Sequence, residues 1–332
     1  MNEIRRILTR GSARAWLLLG ALFCGFFALS EAGFSFFGVA TTFSVLENFA
    51  TFGLVALGLG LTLLIREFDI SMAGMFSLGG CIAVLLGKID PALGLAAAVA
   101  VGLCGGAAQG FILVRLHLGS VPVTLGGLLT FFGIAYVLTG NRTISLQGLN
   151  VALAINAPVF GVFSAHSIIT IILFVIASFF VAYTRIGRDM IAIGGDPRAA
   201  AVAGVNTRAI TIGVFASSGM LFALAGALMS FSLSAASPAG LSDVTVPAVA
   251  AVILGGASLA GGTARPLGMA AGVLVICLLR TGLTSLGVSP HVHEIVSGAI
   301  LMAIAISDCP DWPSIRPRFT LRRQHQGSAG ES

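Results

Sequence analysis

The feature that most constrains this chain is a succession of apolar blocks, each long enough to cross the hydrocarbon core of a bilayer. That core is about 30 Å thick and takes about 20 helical residues at ~1.5 Å rise each. In order, the blocks fall near 16–37, 44–65, 70–87, 92–114, 123–139, 166–184, 210–231, 247–263, 266–286 and 291–308, which predicts about ten transmembrane helices. Charged residues are only 9% of the 332 positions and hydrophobic ones 57%, whereas a soluble domain carries about 25% charge. The expected class is an all-α polytopic membrane protein, because in lipid a helix satisfies its own backbone polar groups. Arginines ahead of the run Trp16–Leu29 have the layout of a secretory signal. As the first of many such runs, it reads instead as a retained helix.

Basic residues give an independent reading of topology, since insertion keeps Lys and Arg on the cytoplasmic side of short loops. With the N-terminus inside, ten spans leave only Lys88 and Arg142 outside and Arg280 within a span, and the rest of the 18 fall in the cytoplasm. One span more or fewer before the middle would send Arg185, Arg188, Arg198 and Arg208 outside, so an even number and two cytoplasmic termini are expected. The chain then divides into a cytoplasmic N-terminus 1–15, a transmembrane domain 16–308 and a cytoplasmic basic tail 309–332. A loop at 140–165, polar with Asn141, Asn150, Asn156 and Pro158, faces outside, and one at 185–208 faces inside. The formal charge of +5 is scattered, not gathered in a patch, so nucleic acid is not an expected partner. Trp312 and the arginines from Arg316 to Arg323 predict contact with membrane lipid. Cys24, Cys81, Cys104, Cys277 and Cys309 read as small hydrophobes, neither disulfides nor ligands.

The chain has no power source of its own. A P-loop needs Lys followed by Ser or Thr after a glycine-rich turn, and the only lysine stands in Gly87-Lys88-Ile89. No catalytic constellation is visible, so an enzyme is not expected. His291, His293 and Glu294 have the wrong spacing for one helical face, and no metal site is expected. Polar groups inside spans suggest function by default: Glu47-Asn48, Gln109 and Arg280 are the candidates, beside plainer readings as a solvated helix end, an interhelical hydrogen bond and a snorkelling cation. A proton- or ion-driven transporter would show an embedded ionisable relay, which is absent from the pattern. The glycine pairs and clusters, among them Gly79/Gly80 and Gly102/Gly105/Gly106/Gly110, predict close helix seams. The stretch 247–262 is Gly-rich and short, which predicts a short or re-entrant helix. In the inner loop, Asp196-Pro197 followed by an alanine run ending at Gly204 predicts one small helix with a start and a stop signal.

That loop resembles a known one. Tyr183-Thr184-Arg185-Ile186-Gly187-Arg188, Ala192-Ile193-Gly194-Gly195-Asp196 and Ala199-Ala200-x-x-x-Gly204-Val205 are similar to the coupling loop of ribose-type ABC importer permeases, in the branched-chain amino acid/ribose permease superfamily. Phe68-Asp69-Ile70-Ser71, the run Ala250–Gly262, Leu286-Gly287-Val288-Ser289 and Ile304–Asp308 resemble further family segments in the same order. Val244-Thr245-Val246-Pro247 and Met72-Ala73-Gly74-Met75 depart from the usual residues. The resemblance implies a type II ABC importer-like fold in a bacterial inner membrane and import of a monosaccharide or related polyol. Branched-chain amino acids or nucleosides are the alternative cargo. It implies a second permease subunit, an ABC ATPase subunit that uses ATP and Mg, and a periplasmic substrate-binding protein, with no cofactor in this chain. Gly194, Gly195, Asp196, Ala199, Ala200, Gly204 and Val205 become the candidate ATPase-coupling residues. Asn48, Asp69 and Gln109 become the candidate translocation-pathway residues.

Overall fold

A computed structural model describes residues 11–31, 38–146, 148–239, 244–258 and 260–307. The first ten residues of the expected N-terminal segment and the tail 309–332, including Trp312, lie outside the described residues. In chain order the helices are α1 Gly11–Glu31, α2 Val39–Leu64, α3 Met72–Gly87, α4 Pro91–Leu116, α5 Ser120–Thr139, α6 Asn150–Asn156 and α7 Ala165–Tyr183. They continue with α8 Arg185–Gly195, α9 Pro197–Val202, α10 Thr207–Ser232, α11 Thr245–Leu254, α12 Pro266–Ser285 and α13 Pro290–Ser307. The protein is an all-α polytopic membrane protein. Among the described residues, six helices are long and apolar enough to cross a membrane: α2, α4, α5, α7, α10 and α12.

Local signals explain the boundaries. Asp90 is extended and its carboxylate accepts from the N–H groups of Ala92 (2.7 Å) and Leu93 (3.3 Å), with Pro91 at the first helical position, so α3 and α4 are joined by a three-residue reversal. Ser164 and Ser167 exchange side-chain and backbone bonds in a capping box that starts α7. The apolar block expected over 247–263 is helical only through α11, whose ten residues rise about 15 Å, half a bilayer core. Beyond Leu254 the chain turns through Gly256 (φ 89°), Gly261 (φ 86°) and Gly262 (φ 76°). These left-handed angles suit glycine and end the helix.

Lipid supplies no hydrophobic drive between helices, so close packing has to hold them. On α4, Gly102, Gly106 and Gly110 lie directly against the backbone of α10 at Gly219, Phe215 and Ile212. On α3, Gly79 and Gly80 meet Ala223 and Gly226 of α10 just as closely. The glycine clusters are therefore seams that let α3, α4 and α10 touch backbone to backbone. Helix α2 lies buried among α7, α10, α11 and α12, while α5 and α7 expose Leu129, Val137, Val175 and Phe179 on faces suited to lipid. The 140–165 loop is more built than its polar composition suggests. Strand β1 (Ile144–Ser145) pairs antiparallel with β2 (Ala235–Ala236). Asn156, at the end of α6, donates to the Ser232 carbonyl (3.1 Å) and accepts from its hydroxyl (2.7 Å).

Candidate functional site

The inner loop holds two helices where the sequence signals one. Thr184 caps α8 by accepting from Gly187 N–H (3.0 Å), and α8 buries Gly187, Met190, Ile193 and Gly194 while leaving Arg185, Arg188 and Ile191 exposed. Asp196 then ends α8 and starts α9, its carboxylate accepting from Arg198 N–H (2.8 Å) and Ala199 N–H (3.2 Å). These same N–H groups, Ala199 foremost and then Arg198, hold the Asp196 carboxyl below the ordinary aspartate range. At the other end Gly204 (φ 87°) donates to Ala201 O (3.1 Å) and Val205 N–H to Ala200 O (3.1 Å). This pairing of bonds around a left-handed glycine closes the helix in a Schellman motif.

The seven candidate coupling residues thereby separate by position. Ala200 faces inward and is buried, Val205 is half-buried against the core, and Ala199 faces out. Beside Ala199, Val202 is 91% exposed, so α9 presents a small apolar knob. Gly195 has open space around it, whereas Gly194 is pressed against the Leu64 carbonyl and the backbone of Gly262. Gly262 N–H donates to that same Leu64 carbonyl (3.1 Å). The turn after α11, the end of α2 and the base of α8 thus meet at one point, with Arg66 (φ 68°) beside Gly261. Three backbones converge there, which is the physical reason for glycine at 194, 261 and 262.

From that junction the chain runs into an elbow, residues 65–71, between α2 and α3. Helix α5 pins it: Phe68 N–H donates to Ser120 Oγ (3.1 Å) and Thr124 Oγ1 reaches Phe68 O (3.4 Å). Asp69 points into the bundle, 1% exposed. Its Oδ1 accepts from Ser71 N–H (2.9 Å) and lies 2.6 Å from Ser71 Oγ, and its Oδ2 lies 3.5 Å from Ser218 Oγ on α10. Gln109 on α4 joins through Oε1, 3.1 Å from Ser71 Oγ, with its amide nitrogen against Gly127. Asp69 and Gln109 are brought together, in a closed polar cluster one elbow away from Gly194. Asn48 stands apart, toward the other end of α2, donating to Thr281 Oγ1 of α12 (3.3 Å). Near it Arg280 lies 5.2 Å over the Phe52 ring, and Glu47 Oε2 lies 3.7 Å from Nδ1 of fully buried His166 of α7. Sequence reasoning missed Ser218, Thr281 and His166, and had Ser71 only as a member of the segment 68–71, with no role. Serine and threonine are common helix residues that carry no signal until a partner is known, and His166 follows the Ser164 cap at what looked like a loop end. Among the described residues no group of three or more His, Cys, Asp or Glu could hold a metal ion.

The geometry defines a class: a helical membrane protein with a capped, small-residue helix at one face, tied by backbone contacts to the ends of its central helices. Residues 41–305 match the family described as branched-chain amino acid transport system / permease component, and the chain belongs to that permease family. It is 30% identical over 309 residues to the ribose import permease protein of Escherichia coli K12, covering 89% of this chain and 95% of that one. It is 27% identical to the L-arabinose transport system permease protein of the same organism (82% and 90% covered). With the fructose import permease protein of Rhizobium meliloti it shares 28% identity (82% and 79%). No solved structure matches the chain.

Proposed function

We propose that this chain is the membrane-spanning permease subunit of an ATP-driven ABC importer, passing a monosaccharide or related polyol from a periplasmic binding protein to the cytoplasm. The observation that carries this reading is the joint one: sugar-import permeases align over nearly the whole chain, and α9 offers a capped apolar knob with Val202 outermost. Two copies of the subunit form the pathway in the bacterial inner membrane. A partner ATPase uses ATP and Mg, grips α8–α9 and drives them as a rigid body, the two-state motion that alternating access needs. In this reading both termini are cytoplasmic, the membrane domain is 16–308 with ten apolar segments, and α11 is a re-entrant helix closed by its glycine turn. Gly194, Asp196, Ala200, Gly204 and Val205 shape and seat the coupling loop, while Ala199 and Gly195 face the ATPase. Asn48 borders the translocation pathway, and Asp69 with Gln109 supports its wall from within.

Proteoliposomes holding this chain with its ATPase and binding protein test the reading. Uptake of one of a panel of sugars and polyols is expected to require ATP, the binding protein and all subunits. Uptake of branched-chain amino acids or nucleosides instead would transfer the cargo, and ion-driven uptake by this chain alone would refute the importer.

A further inference from the structure

The Asp69 cluster carries more acceptors than donors can satisfy. Both carboxyl oxygens are buried in a residue 1% exposed, and no Lys, Arg or His pairs with them among the described residues. Oδ1 is satisfied by Ser71 N–H (2.9 Å) and Ser71 Oγ (2.6 Å). Oδ2 has one hydrogen-bond partner, Ser218 Oγ at 3.5 Å, and that hydroxyl is nearer Phe215 O, at 3.0 Å, so its one proton cannot serve both acceptors. A carboxylate would therefore leave a charged oxygen buried with neither a free donor nor a counter-ion, a costly state that proteins avoid by taking up a proton.

We propose that Asp69 is held as a neutral carboxylic acid, its proton on Oδ2 donating to Ser218 Oγ. The bonds then run in one direction. Ser71 N–H and Oγ–H donate to Asp69 Oδ1, Asp69 Oδ2–H donates to Ser218 Oγ, and Ser218 Oγ–H donates to Phe215 O. Gln109 completes the set when its amide is turned so that Nε2 donates to Ser71 Oγ; the two orientations of an amide are chosen by such a network. In the opposite orientation Ser71 Oγ has one proton between two acceptors, and Gln109 Nε2 is a buried donor without a partner. The acid is a positioning residue: it ties the elbow to α4 and α10 without placing a charge there. The elbow follows directly on Leu64, against whose carbonyl Gly194 sits. A neutral pin can part and re-form as the elbow moves, whereas an ion would need water or a cation to follow it.

The test does not depend on transport. Infrared difference spectra of the purified full-length chain, wild type minus Asp69→Asn, are expected to show the carbonyl stretch of a protonated carboxylic acid at neutral pH. A carboxylate band in its place, or a melting temperature that rises with added sodium in wild type but not in Asp69→Asn, would overturn the proposal in favour of a bound cation. Asp69→Asn reproduces a neutral donor and acceptor, so the melting temperature of the purified chain is expected close to wild type, and that of Asp69→Ala lower by roughly 2–4 °C or more. Equal loss in both variants would also overturn it. Failure of uptake in the wild-type complex would instead fall on the proposed function and leave the infrared result standing.

Discussion

Replacing Gly194 with alanine places a methyl group where three backbones already meet. The new carbon would overlap the Leu64 carbonyl oxygen and lie 2.7 Å from Gly262 Cα, against a comfortable separation of about 3.5–4.0 Å between carbons. No neighbour there is the movable end of a side chain, so α8 has to withdraw from the end of α2. Overpacking of this kind costs roughly 1–3 kcal/mol. Withdrawal also stretches the Gly262 N–H to Leu64 O bond, 3.1 Å long, at about 0.5–1.5 kcal/mol. Together these give about 1.5–4.5 kcal/mol, a fall of roughly 10- to 2,000-fold in the ratio of docked to undocked α8. Gly195 is the internal control, with no atom within 4 Å of a built methyl and a position in α8 where alanine is the better helix former. Limited trypsin digestion reads the difference, because Arg188, Arg198 and Arg208 are exposed in this loop and cleavage follows the undocked population. Gly194→Ala is expected to be cut at these sites many-fold faster than wild type, and Gly195→Ala no faster. Unchanged cleavage of Gly194→Ala, or equal acceleration in both, would refute the argument that backbone contact seats the coupling loop.

Two further outcomes follow from the same loop. Asp196 is held below the ordinary aspartate range by the Ala199 and Arg198 N–H groups, so the charge-assisted part of its cap is fully present at neutral pH and is lost only as pH falls through that lowered value; at neutral pH Asp196→Ala should speed cleavage at Arg198 more than Asp196→Asn, which keeps an uncharged acceptor. Val202→Asp puts a charge on the outermost apolar residue of α9 without touching its packing, so melting of the purified chain should be unchanged while co-purification with the ATPase is lost.

The apolar blocks, the glycine seams and the ends of α9 were legible because each rests on local chemistry: span length, small side chains, and a cap at Asp196 with a stop at Gly204. Helix α8 was not, since two of the residues on its buried face are Gly187 and Gly194, which add nothing to an apolar periodicity. The block at 247–263 reads as short and Gly-rich, but where its helix stops, at Leu254, shows only in the left-handed angles of Gly256, Gly261 and Gly262. Gln109 was visible as a polar residue within a span, and Asp69 through the resemblance of the segment 68–71. Their meeting was not, because it depends on how α4 docks on the elbow, through Ser71, whose partner on α4 the segment 68–71 does not name. The same is true of Asn48 and Thr281, 233 positions apart.

The direct backbone contact between α4 and α10 has a mechanical corollary. Where long side chains separate two helices, rotamers can yield and the gap can widen or shear by small steps. Between Gly106 and Phe215, or Gly102 and Gly219, nothing is available to yield, so α4 and α10, with α3 locked in through Gly79 and Gly80, travel as one beam. Deformation has to fall on the softer joints around α2, where Phe49 stacks on Phe174 at 5.5 Å and Met269 fills the space over Gly60. If the proposed coupling holds, a force entering at α9 would move that beam as a whole and bend the bundle at α2.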